Sequence, residues 1–99
     1  MARFDVHANP AGAGFVVDVQ ANLLSGLNTR VVVPLLLRGD APSPAQRLNP
    51  CFAVLGHDCT FLPRFMAAVP RSELKDQVAT LAPAASTILD AIDFLHQGW

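Results

Sequence analysis

The chain has 99 residues, a formal net charge of −1 and a pI of about 6.2; 52% of its residues are hydrophobic and 15% are charged. That length fits one domain, residues 1–99, and excludes two. The charge balance argues against a protein held on nucleic acid by phosphate contacts, which needs a clear basic excess. So much apolar surface exceeds what one small core hides, and it points to a homodimer that buries the surplus.

The start, Met1-Ala2-Arg3-Phe4-Asp5, is not followed by the apolar stretch of a signal peptide, and no apolar run nears the roughly 18–20 residues of a membrane span. A cytoplasmic protein is expected. Arg3 to His7 reads as a first strand with Phe4 and Val6 on one face. Asn9-Pro10-Ala11-Gly12-Ala13-Gly14 is turn chemistry. Phe15 to Gln20 reads as a second strand, apolar apart from Asp18, and pairs with the first as a hairpin. Ala21 to Leu24 continues as loop, and Ser25-Gly26-Leu27-Asn28 turns the chain again.

Arg30 to Leu37 is the strongest strand. Val31, Val32 and Val33 are β-branched, and the run has the unbroken apolar character of a strand buried on both faces. Pro34 within it cannot donate to a ladder, which predicts a bulge or an unpaired edge at that point. Arg38 to Asn49, with Gly39, Pro42 and Pro44, reads as a loop. Pro50 to Leu55 and Thr60 to Ala67 read as a second hairpin turning near Gly56-His57-Asp58. On that register Cys51 and Cys59 lie far apart, and two reduced thiols are expected. Val69-Pro70 ends the sheet, and Arg71 to Leu81 is expected to be irregular or a short turn. Pro83 to about His96 is a helix. Proline suits its first turn, Ile88, Ala91, Ile92 and Leu95 form an apolar stripe widened by Leu89, and Gly98 stops it. The residues therefore describe a mostly β protein, a small barrel-like sheet followed by one C-terminal α-helix.

No catalytic constellation stands out. His7, His57 and His96 lie in no metal-binding spacing, His57-Asp58 fits a hairpin tip, Gly12 and Gly14 fit a turn, and no serine sits in a nucleophile elbow. No metal, no cofactor and no catalytic residue is expected.

Five segments in order resemble a known family. Val17-Asp18-Val19-Gln20 looks like the Val-Asp-Val-Gln signature of the CcdB toxins. Arg30-Val31-Val32-Val33-Pro34-Leu35 resembles their Arg-x-Val-Ile-Pro-Leu strand, and Leu48-Asn49-Pro50 their Leu-x-Pro. Met66-Ala67-Ala68-Val69-Pro70 is similar to Met-Ala-Ser-Val-Pro, and Val78-Ala79-Thr80-Leu81 with Ala91-Ile92 falls at matching distances from the end. The resemblance spans nearly the whole chain. It implies an SH3-like barrel of the CcdB, Kid and MazF type, assembled as a twofold homodimer. It further implies a toxin of a toxin–antitoxin module, of the kind that serves plasmid maintenance. Such a toxin binds the A subunit of DNA gyrase, traps the gyrase–DNA cleavage complex, and is neutralised by a CcdA-like antitoxin. It is an inhibitor and not an enzyme, and the free toxin does not bind nucleic acid. Carried over by position, the gyrase contacts are Ala21, Leu23 and Leu24 in the loop and Asp93, His96, Gln97, Gly98 and Trp99 in the tail. The tail departs from the family archetype, Phe-Trp-Gly-Ile: its aromatic, Trp99, follows the glycine instead of preceding it.

A second reading is an endoribonuclease like the Kid and MazF toxins. It requires a proton-transfer pair beside cationic groups, for which Arg3, Asp5, His7 and Arg30 qualify if the fold gathers them. A third is a degenerate family member of weak toxicity.

Overall fold

The structure is a computed structural model that describes residues 2–24, 26–40 and 48–97. Strands β1 (Asp5–Ala8) and β2 (Phe15–Asp18) form the expected antiparallel hairpin, with Val6 opposite Val17. Its connection is tied by two bonds from Asn9: the backbone N–H donates to the Gly14 carbonyl at 3.1 Å, and Oδ1 accepts the Ala11 N–H at 2.9 Å. Gly14 has φ +87°, and a Cβ there would stand 2.7 Å from the Leu35 carbonyl oxygen. Only glycine lets the chain enter β2 so close to its neighbour. The first strand begins two residues later than the pattern suggested, because Phe4 turns the chain at φ 71°. Phe4 and Val6 nonetheless share the core, as their spacing implied.

The long strand β3 (Thr29–Leu37) is the spine of the sheet. One side pairs with β2. The other is shared: Thr29–Val32 pair with β6 (Ala67–Pro70), and Leu35–Leu37 pair with β5 (His57–Phe61). Pro34 sits at the handover. Its carbonyl accepts the Leu62 N–H at 3.1 Å, on the side away from β2. The N and O of one residue in an antiparallel strand point the same way, so the missing N–H falls in the gap between β6 and β5. The predicted unpaired edge is there.

Strand β4 (Cys51–Val54) makes the second hairpin with β5. Its tip is tighter than expected. Leu55 and Gly56 both have positive φ, 50° and 81°, the two-residue turn that matches strand twist, so the strand resumes at His57 and not at Thr60. This corrects the thiol register too. Cys51 opposes Thr60 and Phe52 opposes Cys59. The cysteines are one position out of register and so face opposite sides of the sheet, one exposed and one buried, and both are free.

A further correction lies between Arg71 and Leu81, where β7 (Gln77–Thr80) pairs with β1. The sheet does not end at Pro70. Strand order is β4-β5-β3-β2-β1-β7, with β6 also on β3, giving one curled antiparallel sheet. Gln77, Val78 and Thr80 are exposed and Ala79 is half-buried. There is no apolar alternation to read: the strand is held mainly by its backbone pairing, with Ala79 alone packed against the core.

Helix α1 (Ala85–Gln97) follows a short 3-10 turn at Ala82–Ala84 that contains Pro83. Ile88 and Ala91 are fully buried against Val6, Val17, Val33, Leu35 and Phe61, while Leu89 and Ile92 pack at the margin. Leu95 lies 36% exposed, so the apolar stripe is narrower than its spacing suggested. The expected stop at Gly98 lies outside the described residues, as does most of the Arg38–Asn49 loop, of which Arg38–Asp40 forms a 3-10 turn. Full burial of the Ile88 side chain contributes about 1.5–3 kcal/mol. On the opposite face, Val16, Val32 and Leu74 make a smaller cluster with Val69. Among the described residues no helix is long and apolar enough to cross a membrane.

Candidate partner-binding site

The site grows from the way β2 ends. The Val19 N–H donates to the Val31 carbonyl at 3.0 Å, one half of an antiparallel pair. The returning bond would run from the Val31 N–H to the Val19 carbonyl. Instead the Val31 N–H donates to Gln20 Oε1 at 3.1 Å, and the Val19 carbonyl accepts Arg3 Nε–H at 3.0 Å. The strand thus peels away while a side-chain amide completes its ladder. Gln20 Nε2 then donates to the Leu24 carbonyl at 2.8 Å. Ahead of it, the Asn22–Leu24 segment closes as a 3-10 turn, with Leu24 N–H on the Ala21 carbonyl at 2.9 Å and Leu27 N–H on the Leu24 carbonyl at 3.1 Å. Asn22 Oδ1 accepts the Arg3 N–H at 2.8 Å.

This framework holds three leucines out of the core. Leu23 is 94% exposed, Leu24 49% and Leu27 50%, while Ala21 is half-buried beneath them. A leucine that exposed costs solvation free energy unless something covers it.

Under the turn lies a buried ion pair. Asp18 Oδ2 is 2.7 Å from Arg30 Nε and 2.6 Å from Nη2, and Asp18 Oδ1 accepts the Gln20 N–H at 3.0 Å. Both side chains are completely buried. Asp18 and Arg30 each stand as the lone charge in an apolar strand, and they have opposite sign. Buried charges are paired, so their coincidence was a usable signal that the strand-by-strand reading passed over.

The tail half of the predicted site is less complete. Asp93, His96 and Gln97 are exposed on the last two turns of α1, and Gly98 and Trp99 lie outside the described residues. The structure groups Ala21, Leu23 and Leu24 in one turn and places the tail residues on a separate element, which packs beside the Pro63–Phe65 turn. There Phe65 is 52% exposed, with the Arg64 guanidinium 4.9 Å above its ring.

Of the four residues that would serve RNA cleavage, the structure brings together Asp5 and His7 but not Arg3 and Arg30. Asp5 and His7 line a cleft of about 280 Å³ with Leu74, Lys75, Asp76 and Gln77. His7 Nδ1 lies 2.6 Å from the Lys75 carbonyl and donates to it, while Nε2 is buried without a hydrogen-bond partner among the described residues. Arg30, however, is sealed in its ion pair, and Arg3 is bonded to Val19 with its guanidinium 5.1 Å over the Phe4 ring. The cleft sets two carboxylates, Asp5 and Asp76, against one lysine, Lys75, which is not the cationic surround that a phosphodiester calls for. Burial, helped by Asp58 and then Cys51, pushes the Cys59 thiol up and keeps it un-ionised. Among the described residues no group of three or more histidines, cysteines or carboxylates is placed to hold a metal.

Comparison with solved structures finds 37 matching chains. Among them is the Mycobacterium tuberculosis toxin MazF-mt6, with a TM-score of 0.73 at 16% identity over 90% of this chain and 92% of that one. At that identity the likeness speaks to the fold. No curated protein matches the sequence. The family model described as CcdB protein matches residues 3–98. With the match running through the Asp18–Gln20 and Arg30–Leu35 segments that build the turn and its ion pair, the chain belongs to the CcdB family, toxins of toxin–antitoxin modules.

Proposed function

We propose that this protein is a gyrase poison: a homodimeric, cytoplasmic toxin that binds the DNA gyrase A subunit, stabilises the gyrase–DNA cleavage complex without cutting DNA itself, and is neutralised by a CcdA-like antitoxin. The observation that carries the proposal is Leu23, 94% exposed yet held on a hydrogen-bonded turn. A rigid apolar knob loses little conformational entropy on docking, which is what an interface hot spot requires. Leu24 flanks it, and in this reading the helix end with Asp93, His96, Gln97, Gly98 and Trp99 forms the second contact. Phe65, Val78 and Leu95 supply further exposed apolar surface for a twofold interface or for the antitoxin.

The test is Leu23→Asp beside a chain lacking Gly98 and Trp99, each expressed in sensitive cells. A charge at a desolvated contact costs about 2 kcal/mol or more, over tenfold in affinity. Both variants lose toxicity while Leu23→Asp keeps the parent's unfolding midpoint, since its side chain contributes nothing to the core. Killing at parental expression levels by Leu23→Asp would show that this turn is not the contact.

A further inference from the structure

We propose that Gln20 is a positioning residue for partner capture: its carboxamide fixes the geometry in which Leu23 and Leu24 are presented, without itself touching the partner. This rests on the gyrase reading for its consequence, and on the hydrogen-bond geometry for its substance.

Gln20 is 6% exposed, so it offers a partner almost no surface. Both ends of its amide are engaged, one by the ladder N–H that the end of β2 leaves unmatched and the other by the leucine turn. Oε1 receives the Val31 N–H, and Nε2 feeds the Leu24 carbonyl, which also accepts the Leu27 N–H. One side chain therefore joins the rigid spine strand to the closing residue of the leucine turn. Its backbone is fixed as well, because the Gln20 N–H is held by Asp18 Oδ1, and Asp18 is clamped by Arg30. The order is continuous: Arg30 orients Asp18, Asp18 orients the Gln20 backbone, and the Gln20 amide orients Leu24 and, through the turn, Leu23. No hydrophobic side chain in the Asn22–Leu24 turn is buried, so packing alone does not fix it. Hydrogen bonds do, and Gln20 supplies the one that anchors the turn to the sheet; Arg3 N–H on Asn22 Oδ1 steadies its other end. An unanchored turn would sample many arrangements, and a partner would have to bear the ordering cost.

The test compares Gln20→Met, which keeps length and loses both amide functions, and Gln20→Glu, which keeps an acceptor for Val31 and loses the donor to Leu24. Leu23→Asp serves as the contact control. Backbone hydrogen exchange is read at Leu24, Leu27 and Val33, and trapping of the gyrase–DNA complex is titrated in parallel. The expected result is protection at Leu24 and Leu27 reduced about tenfold in both Gln20 variants with Val33 unchanged. The concentration for half-maximal trapping rises about tenfold alongside. Leu23→Asp loses trapping with no change in exchange. Equal loss of protection at Val33 and Leu24 in both variants would make Gln20 a general structural residue and overturn the proposal; so would unchanged turn protection or full trapping. If the parent protein fails to trap gyrase, the gyrase reading falls separately, and exchange at Leu24 and Leu27 alone decides whether Gln20 sets the turn.

Discussion

Breaking the Asp18–Arg30 pair from either side is the most informative single perturbation of the fold. Arg30→Met removes the guanidinium and leaves the carboxylate of Asp18 buried, with the Gln20 N–H its sole remaining donor among the bonds described. Asp18→Leu leaves a buried guanidinium with no counter-charge. Stranding one ion of a buried pair costs about 3–5 kcal/mol. A domain of this size has roughly 5–15 kcal/mol of stability in total, so each single variant forfeits a large share, a fall of roughly 15–30 °C in Tm. The double variant Asp18→Leu/Arg30→Met strands neither charge. It should lose much less than the summed singles, with a coupling of about 2 kcal/mol or more. Urea denaturation of the parent and the three variants, followed by circular dichroism, measures the cycle. Additive losses, or an Arg30→Met cost below about 1 kcal/mol, would refute the reasoning that this pair is buried and mutually dependent.

Two further outcomes follow from the local geometry. Gly14→Ala places a Cβ 2.7 Å from the Leu35 carbonyl at φ +87°, and denaturation midpoints should show a loss of about 2 kcal/mol or more. A thiol reagent should titrate one cysteine per native chain, Cys51, with Cys59 reacting only on unfolding. Because burial raises the folded pKa of Cys59, the unfolded chain ionises first. That contribution to stability is complete below the unfolded thiol pKa of about 8.5 and declines as pH rises through the folded value, so Cys59→Ala should flatten the alkaline limb of the stability curve.

The elements legible in the sequence are those whose burial is periodic. Val31–Val33 announced the spine strand because both its faces are covered, and Ile88 and Ala91 announced the helix because one face meets the sheet. Strand β7 was not legible, since its exposed residues carry no alternation. The second hairpin was placed but its tip was not, because Leu55 at positive φ is a residue that no turn rule selects. In the site, the resemblance pointed to Ala21, Leu23 and Leu24. It gave no account of why Asp18 and Gln20 precede them. That account is three-dimensional: Gln20 does with a side chain what a strand normally does with its backbone, and hydropathy is blind to the exchange. Arg30, considered as a cationic group for RNA cleavage, is instead the counter-charge of Asp18.

The central claim is tested most directly by incubating the purified protein with gyrase and supercoiled DNA, then denaturing the reaction and counting DNA breaks covalently attached to the A subunit. A structured RNA incubated with the same preparation serves as the second arm. Protein-linked double-strand breaks that rise with toxin concentration, beside intact RNA, are the predicted result. Cleaved RNA with no increase in protein-linked DNA would contradict the account and establish the ribonuclease reading in its place.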